Sequence, residues 1–422
     1  MKKIKVFCLA DSPLAPSGVG TQTRYMIEGL LNTGRFQFVC FGGAIKHPDY
    51  KPIKTEEYGD DWVIYPVDGY GSQEQVRALL QAQKPDIVWI MTDPRFWGWL
   101  WDIENEIRSV APLVYYHVWD NFPDPTYNRK WYLSNDVVAA ISKVTNKIVQ
   151  NVAPEVELVH LPHAVNDSIF KKMEDRKLLE NFKKDNGIGY DSKGNKRFVF
   201  FWNNRNARRK QSGSLMFWFN DFLNEVGRDK ATLIMHTEPH DPNGQDLIAI
   251  KEKLNLTDDE FRLSMQKLSI EQLSLLYNAC DCTVNISDAE GFGLSTLESL
   301  ATETPIIVNM TGGLQEQVTD GKDWFGIGIE PSSKAIIGSQ EVPWIYEDRI
   351  DGKDLVTAMT DMWCKNEQEL AELGQAGRGH VMKNYSMETY VKSWDELLTK
   401  INKEHGSWED RKKKYWSLSK VL

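Results

Sequence analysis

Cysteine, long apolar runs and excess positive charge are scarce or missing in this sequence, and each absence excludes a class of protein. Five cysteines in 422 residues are too few for the disulfide framework of a small secreted domain, and Cys280 and Cys282 are too isolated for a zinc site. The apolar stretch Ile4–Ala10 is broken by Lys5, so it predicts a β-strand rather than a signal peptide. No run approaches the ~20 apolar residues that span a bilayer. We expect a soluble, cytoplasmic protein, for which peripheral membrane contact stays open.

Negative charge exceeds positive charge along the chain. There are 60 acidic and 50 basic residues, which give a formal net charge of −10. This balance disfavours a general basic surface for nucleic acid or anionic lipid, although one local basic groove stays possible. The apolar content of 41% is that of a globular protein. The length predicts two domains, because single cores stop growing at about 250–300 residues.

Apolar strands alternate with helical segments in both halves of the chain, which predicts an α/β fold with parallel sheets. A polar stretch rich in Lys, Asp and Asn separates the halves. We expect an N-terminal Rossmann-like domain at residues 1–166, a linker at 167–196, a C-terminal Rossmann-like domain at 197–390, and a terminal helix and tail at 391–422. The expected strands are Ile4–Leu9, Phe36–Phe41, Val63–Val67, Asp86–Met91, Leu113–His117, Val137–Ile141, Phe198–Trp202, Ala231–His236, Cys282–Ile286 and Pro305–Asn309. The expected helices are Arg24–Leu31, Gln73–Gln83, Leu215–Val226, Glu271–Cys280 and Leu297–Ala301.

The most informative segment lies between a predicted strand and a predicted helix, and it contains two carboxylates around a glycine turn. Gly291 and Gly293 allow a ligand to approach the backbone, and the free amides at a helix start favour anions or hydroxyl oxygens. Glu290 and Glu298 can accept hydrogen bonds from sugar hydroxyls. The alternative for Glu298 is purely structural, since Ser295-x-x-Glu298 also has the pattern of a capping box.

A basic loop follows the predicted strand Phe198–Trp202. Four cations stand within six residues, at Arg205, Arg208, Arg209 and Lys210. Such a group can clamp a diphosphate, because arginine binds phosphate bidentately and lysine binds it as a point charge. The alternative is an ordinary solvated loop.

The order and spacing of these segments resemble those of a known family. Glu290 and Glu298, with Gly-Phe-Gly-Leu following the first, resemble the E-x7-E motif of retaining GT-B glycosyltransferases, most closely glycosyltransferase family 4. The likeness continues through Pro305-Ile-Ile-Val and Thr311-Gly-Gly-Leu-Gln-Glu. One departure is Glu303, since the family commonly has glycine two residues before the proline.

The resemblance implies a GT-B fold, in which two Rossmann-like domains face a central cleft and the terminal helix crosses back to the first domain. It implies that Glu290 contacts the transferred sugar, that Glu298 binds the ribose, and that Arg205 and Lys210 bind the donor diphosphate. It also implies that the donor lies against a turn formed by Gly291, Phe292, Gly293, Leu294 and Ser295.

Two further site elements are expected in the N-terminal domain. Gly18-x-Gly20 follows the first predicted strand, but Thr23 stands where a dinucleotide fingerprint has its third glycine, so NAD binding is not supported. The loop resembles the glycine-rich loop of GT-B enzymes, which approaches the donor phosphates. His117, at the end of another predicted strand, matches the family's cleft histidine and is expected to be catalytic.

The resulting hypothesis is a metal-independent, retaining transferase that moves a hexose or similar sugar from a nucleoside diphosphate sugar to an acceptor hydroxyl. UDP-sugar is the expected co-substrate, and no cofactor or metal is expected, since the chain lacks the D-x-D pair of metal-dependent GT-A enzymes. The acceptor stays open between a glycan, a lipid and a hydroxymethylated base in DNA, as in some viral enzymes. The alternatives are a nucleotide-sugar 2-epimerase and a non-catalytic nucleotide-sugar-binding protein.

Two other segments allow more than one interpretation. The aromatic run Phe96–Trp101 predicts packing in the core, and the alternatives are an acceptor platform or contact with a membrane edge. The basic run from Arg411 to Lys414 can bind phosphate-bearing acceptors or be the solvated face of a terminal helix.

Overall fold

The computed structural model describes residues 2–411, and the chain divides into two compact units. The first contains the chain up to Ala164, the segment Gly338–Trp344 and the described chain from Met387 onward; the second contains Val165–Ile337 and Ile345–Ser386. The divisions at 164/165 and 386/387 lie close to the expected ones at 166/167 and 390/391. Residues 167–196, expected to be a linker, lie inside the second unit and include a helix.

The first unit is built on an eight-stranded sheet with the order β3-β4-β2-β1-β5-β6-β7-β8. Neighbouring strands are parallel except for the antiparallel pair of β3 and β4. The strands are β1 (Ile4–Leu9), β2 (Phe36–Gly42), β3 (Ile53–Lys54), β4 (Trp62–Pro66), β5 (Ile87–Thr92), β6 (Leu113–His117), β7 (Val137–Ala140) and β8 (Glu157–His160). The helices are α1 (Gly18–Asn32), α2 (Gln73–Gln83), α3 (Gly98–Trp101), α4 (Glu104–Arg108), α5 (Arg129–Leu133) and α6 (Lys143–Val152).

The second unit is built on a six-stranded parallel sheet with the order β11-β10-β9-β12-β13-β14, and it has a separate antiparallel hairpin of β15 and β16. The strands are β9 (Phe198–Asn203), β10 (Ala231–His236), β11 (Phe261–Ser264), β12 (Cys282–Asn285), β13 (Ile306–Asn309), β14 (Gly326–Ile329), β15 (Ser333–Ile337) and β16 (Ile345–Arg349). The helices are α7 (Arg176–Asp185), α8 (Ser212–Val226), α9 (Leu247–Leu254), α10 (Ile270–Ala279), α11 (Leu294–Ala301), α12 (Leu314–Val318), α13 (Gly352–Trp363) and α14 (Glu367–Asn384).

The helix α15 (Met387–Glu404) belongs to the first unit. Its Trp394 is fully buried and meets Trp89 of β5 and Tyr116 of β6 edge-on, with ring centroids 5.8 and 4.9 Å away. Each fully buried aromatic side chain stabilises the fold by about 2–3 kcal/mol. The helix is therefore part of the core of this unit rather than a loose tail.

Aromatic packing also forms the core of the second unit. Phe200 of β9 lies 6.3 Å from Phe219 and 5.5 Å from Phe222, which face the sheet from α8. All three side chains are fully buried. This core supports the carboxyl ends of β9, β12 and β13, where the loops of the candidate site begin.

Candidate active site

Three loops of the second unit leave neighbouring strands at the same edge of the sheet. They follow β9, β12 and β13, and open parallel sheets bind ligands at this edge. The loop after β9 contains the four predicted cations, and a short 3₁₀ helix, Arg208–Lys210, shapes its end. The loop after β12 contains Glu290 and the glycine turn.

Lys210 and Glu290 are in direct contact, although they are 80 positions apart in the sequence. The Lys210 ammonium donates to Oε2 of Glu290, and the two side chains are only 10% and 13% exposed. Burial opposes ionisation of Glu290, but the charges of Lys210 and Arg209 outweigh it and lower the pKa of the carboxyl. The structure thus brings together a cation predicted to bind the diphosphate and a carboxylate predicted to bind the sugar.

Arg205, the other predicted phosphate ligand, pairs with a different acid. Its Nε and Nη2 donate to the Asp241 carboxylate at 2.6 and 3.1 Å. The hydrogen bond from Arg205 is the largest cause that lowers the pKa of Asp241 to about 2. The Arg205 side chain is 65% exposed, so its predicted role requires a ligand at the rim of the site.

The glycine turn is held by internal hydrogen bonds to its carbonyls. Gly293 has a φ of +95°, a left-handed conformation that favours glycine. The Gln317 amide donates to the carbonyls of Phe292 and Gly293 at 2.8 and 3.0 Å, and the Thr296 hydroxyl donates to that of Gly293 at 2.9 Å. Because these carbonyls are engaged, the turn can present its amides at the start of α11 to a ligand.

The side chains of the turn differ in their exposure. The Phe292 ring is buried and packs edge-on against Tyr385, with centroids 5.6 Å apart. Ser295 is also buried, while Leu294 is partly exposed. Phe292 and Ser295 therefore line the turn chiefly through their backbone, and Leu294 offers the more accessible side chain.

Glu298 does not cap its own helix, so the capping-box alternative is wrong. α11 begins at Leu294, and its N-cap residue is Gly293, which has no side chain to accept a hydrogen bond. Oε2 of Glu298 instead accepts a hydrogen bond of 2.9 Å from the Tyr277 hydroxyl. The Asn203 amide donates to that hydroxyl oxygen at 2.9 Å. Burial raises the pKa of Glu298 to about 7, against the lowering effect of the Tyr277 hydrogen bond.

Several residues of this edge were not predicted from the sequence. Asp288 stands two positions before Glu290, and it accepts a hydrogen bond of 2.6 Å from Gln211 at the end of the basic loop. Burial raises the pKa of Asp288 to about 6. Its position just before the motif that starts at Glu290 was the available signal. Tyr277 lies on α10 and had no motif to indicate it.

In the first unit, the predicted glycine loop is the start of α1. The Ser17 hydroxyl accepts a hydrogen bond of 3.0 Å from the Gly20 amide and donates one of 2.6 Å to Asp11. A Cβ at Gly20 would lie 2.7 Å from the carbonyl oxygens of Ser12 and Ala15, so only glycine fits there. Gly18 is exposed at the first helical position, at the positive end of the helix dipole.

His117, the predicted catalytic histidine, is completely buried in the first unit. Its Nδ1 and Nε2 each lie 2.9 Å from a tyrosine hydroxyl, those of Tyr115 and Tyr132 respectively. Burial lowers the pKa of His117 to about 3, so the imidazole is neutral at pH 7. Its contact with substrate stays a prediction.

The remaining expectations concern packing, the tail, metal and membrane. Trp97, Leu100 and Trp101 are buried, which confirms the packing interpretation for those side chains, whereas Phe96 is exposed. Arg411 pairs with Asp136 at 3.1 Å, and the rest of the basic run, from residue 412, lies outside the described residues.

Between residues 2 and 411 there is no group of three or more His, Cys, Asp and Glu arranged for a metal ion. Over the same residues, none of the helices is both long and apolar enough to cross a membrane.

Part of the chain is similar to known proteins. Residues 244–355 match the family model of glycosyl transferases group 1. The match lies in the second unit for most of its length and contains Glu290 and Glu298, whereas Arg205 and Lys210 precede it. A 66-residue stretch is 44% identical to D-inositol 3-phosphate glycosyltransferase from Corynebacterium urealyticum, covering 15% of this chain and 16% of that protein.

Solved structures resemble the chain over nearly its whole length. Sucrose-phosphate synthase from Thermosynechococcus elongatus gives a TM-score of 0.71 at 15% identity, covering 95% of this chain and 99% of that one. A glycosyltransferase from Rickettsia africae gives a TM-score of 0.72 at 16% sequence identity, and the match covers 96% of this chain and 100% of that one. Anabaena HepE was solved in complex with UDP and glucose. It gives a TM-score of 0.67 at 15% sequence identity, and the match covers 94% of this chain and 100% of that one. The predicted fold class is confirmed: the chain has the GT-B fold, with two Rossmann-like domains.

Proposed function

We propose that this protein is a retaining glycosyltransferase that moves a hexose or similar sugar from a nucleoside diphosphate sugar, most simply a UDP-sugar, to an acceptor hydroxyl. The observation that carries the proposal is the contact of Lys210 with Glu290 beside the glycine turn. It places a cation, a carboxylate and the start of a helix at one edge of a parallel sheet. The group 1 match at this segment and the UDP bound by Anabaena HepE support the proposal.

Each part of the nucleotide-sugar donor would contact different residues of the site. Lys210, with Arg205 at the rim, would hold the diphosphate and stabilise its charge as it leaves, which makes a metal ion unnecessary. Glu290 would accept hydrogen bonds from the sugar hydroxyls, and the turn Gly291–Ser295 would lie against the donor. Glu298 would bind the ribose, which requires its carboxylate to accept a second hydrogen bond besides that of Tyr277.

A front-face reaction fits these groups. The bond from the anomeric carbon to the leaving phosphate oxygen would break, and a bond to the acceptor oxygen would form on the same face. The acceptor proton would pass to the departing phosphate. This route needs no protein base, which is consistent with a buried, neutral His117 whose pKa is about 3. His117 would then act by packing or hydrogen bonding rather than by accepting the proton.

The acceptor stays open between a glycan, a lipid and a hydroxymethylated base in DNA. Several similar proteins are named for small sugar phosphates or an inositol phosphate, which makes phosphorylated polyols the first compounds to screen.

The four cysteines other than Cys364 are buried and all five are free, which supports the proposed cytoplasmic location.

Transfer of a labelled sugar tests the proposal. UDP-, GDP- and ADP-sugars would be incubated with the protein and a panel of acceptors, and the products analysed by mass spectrometry and NMR. We expect a glycoside with the anomeric configuration of the donor. An inverted product would contradict the retaining mechanism. An isomerised donor formed without any acceptor would favour the epimerase alternative.

A further inference from the structure

The hairpin of β15 and β16 brings two buried carboxylates to the loops of the candidate site. It interrupts the alternation of strands and helices between β14 and α13. Lys334 and Ile336 of β15 are exposed, whereas Glu347 and Asp348 of β16 are buried. A buried ionised carboxylate destabilises the fold unless cations or hydrogen-bond donors surround it. The partners of these two acids therefore show which parts of the unit the hairpin holds.

Glu347 holds Arg208 of the basic loop. Arg208 Nη1 donates to Oε2 of Glu347 at 3.0 Å, and Arg208 Nη2 donates to Oε1. Arg349 Nη2 donates to Oε2 at 3.0 Å. The Glu347 side chain is 1% exposed and that of Arg208 is 60% exposed. Burial opposes ionisation of Glu347, but the hydrogen bonds from Arg208 and Arg349 outweigh it and lower its pKa.

Asp348 joins the same strand to the other two loops of the site. Its amide donates to the carbonyl of Asp288, in the loop after β12, at 2.7 Å. Its carboxylate accepts a hydrogen bond of 2.8 Å from the Thr311 hydroxyl, in the loop after β13. Its carbonyl accepts one of 2.7 Å from the Asn309 amide. All three loops at this edge therefore converge on two adjacent residues of β16.

The basic loop and the Glu290 loop are also bonded to each other through residues next to these anchors. The Asp288 amide donates to the carbonyl of Arg209 at 2.8 Å, and Arg209 Nη1 donates to the carbonyl of Ala289 at 2.5 Å. Lys210 follows Arg209 and contacts Glu290. A shift of Arg208 would therefore be transmitted to Lys210 through Arg209, the middle residue of a short 3₁₀ helix.

We propose that Glu347 is a positioning residue for donor binding: through its paired hydrogen bonds with Arg208, it holds the basic loop so that Lys210 lies beside Glu290. Arg208 is then an anchor of the loop rather than a phosphate ligand. This inference rests on the proposed function, because it concerns how the same site keeps its shape.

Replacing Glu347 by glutamine tests the positioning role, and the chain offers a matched control. Glu260 also accepts two hydrogen bonds from one arginine, at 2.7 and 3.1 Å from Arg228, and its side chain is 5% exposed beside an arginine that is 41% exposed. That pair lies away from the three loops, between the turn before β10 and the turn before β11. Glu260→Gln therefore changes a similar ion pair without touching the site.

Three values are measured for each variant. The first is the Kd of one nucleoside diphosphate, namely the one that the wild type binds best among UDP, GDP and ADP. The other two are the KM for the sugar donor and kcat. For Glu347→Gln we expect Kd and KM to rise about tenfold, as for the loss of one charge-assisted hydrogen-bond pair. We expect kcat at saturating donor to change by no more than about twofold, because Glu347 does not touch the reacting atoms. Glu260→Gln should leave all three values unchanged.

Arg208→Gln separates anchoring from direct phosphate binding. If Arg208 is an anchor, Arg208→Gln and Glu347→Gln weaken binding equally, and the double variant is no worse than either. If Arg208→Gln weakens binding while Glu347→Gln does not, Arg208 is itself a ligand and the positioning role is wrong. Equal values for Glu347→Gln and Glu260→Gln would also overturn it.

Two further outcomes are possible: the variant does not fold, or the wild type binds no nucleotide. Should Glu347→Gln fail to fold by circular dichroism, Arg208→Lys replaces it, since lysine keeps the charge but loses the planar fork; unchanged binding in Arg208→Lys would then overturn the role. Should the wild type bind none of the three nucleotides, the proposed function fails and this inference fails with it. A failure of the inference alone leaves wild-type binding intact.

Discussion

At the scale of single residues, the site depends on how each charge is paired. The basic loop contains four cations, and each donates a hydrogen bond to a different group: Arg205 to Asp241, Arg208 to Glu347, Arg209 to the Ala289 carbonyl and Lys210 to Glu290. Arg209 also lies 3.9 Å from Glu290. Among these, only Lys210 joins two of the predicted donor-binding residues. The charge pattern alone made the four cations equivalent, and their partners distinguish them.

Glu290→Gln should separate sugar contact from nucleotide binding. Glutamine keeps the size of the side chain but loses the negative charge that accepts hydrogen bonds from sugar hydroxyls. We expect kcat for transfer to fall about a hundredfold, as for the loss of one preorganised polar contact in a transition state. The Kd for UDP alone should change little, since UDP has no hexose; a parallel loss of UDP affinity would contradict the assignment.

Glu298 makes stability depend on pH. Its pKa is raised from 4.5 to about 7 because burial favours the neutral carboxyl. The folded state therefore holds this proton more tightly than the unfolded state, and the resulting stabilisation is lost as pH rises from about 4.5 through about 7. Chemical denaturation should show the wild type losing stability relative to Glu298→Gln over this interval. Identical pH profiles for the two proteins would refute this account of Glu298.

At the scale of elements, backbone conformation explains why one departure from the family pattern matters. Glu303 stands where the resembling family commonly has glycine, and its φ is +62°, in the left-handed region between α11 and β13. A residue with a Cβ is strained there by about 1–2 kcal/mol. Its ion pair with Lys172, at 3.8 Å, is a surface pair whose contribution is about 0–1 kcal/mol.

Glu303→Gly should therefore stabilise the protein, by about 0.5–1 kcal/mol, because the relief of strain exceeds the loss of the ion pair. The control is Glu372→Gly on the exposed face of α14, where glycine should destabilise by about 1 kcal/mol. Both are measured as free energies of unfolding in urea. A loss of stability in Glu303→Gly as large as that in the control would show that the strain argument is wrong.

Elements with a strong apolar pattern were predicted well from the sequence, and those set by capping or by distant contacts were not. The strands Ile4–Leu9 and Ala231–His236 have the predicted bounds, and each is a mostly apolar run that begins directly after a lysine. α1 starts at Gly18, six residues before the predicted start, since Ser17 caps a segment whose glycines indicated a loop. The hairpin Ser333–Arg349 had no predicted element.

The same distinction holds for the site. The contact between Lys210 and Glu290 follows from a general rule, since loops at the carboxyl ends of neighbouring parallel strands converge. The pairing of Arg208 with Glu347 joins residues 139 positions apart and depends on a hairpin outside any recognisable motif. Tyr277 reaches Glu298 from a different helix. No local pattern contained these two contacts.

At the scale of the whole molecule, ligand binding and stability are linked. A donor that binds only the folded state raises the free energy of unfolding by about 2.7 kcal/mol at a concentration a hundredfold above its Kd. The net charge of −10 makes non-specific attraction of polyanions weak, so a response to nucleoside diphosphates would come from a local site. The segment that matches the group 1 family lies mostly in the second unit, and it supports the proposal that this unit binds a nucleotide sugar.

The most direct test is thermal unfolding of the wild type and of Lys210→Ala with UDP, GDP, ADP and their sugars. We predict that at least one of these ligands, with UDP the first expectation, raises the wild-type Tm by several degrees, since about 1 kcal/mol shifts Tm by roughly 2–4 °C in domains of this size. Lys210→Ala should lose most of that increase, because it removes the buried cation of the site. No shift with any ligand, or an equal shift in Lys210→Ala, would contradict the claim.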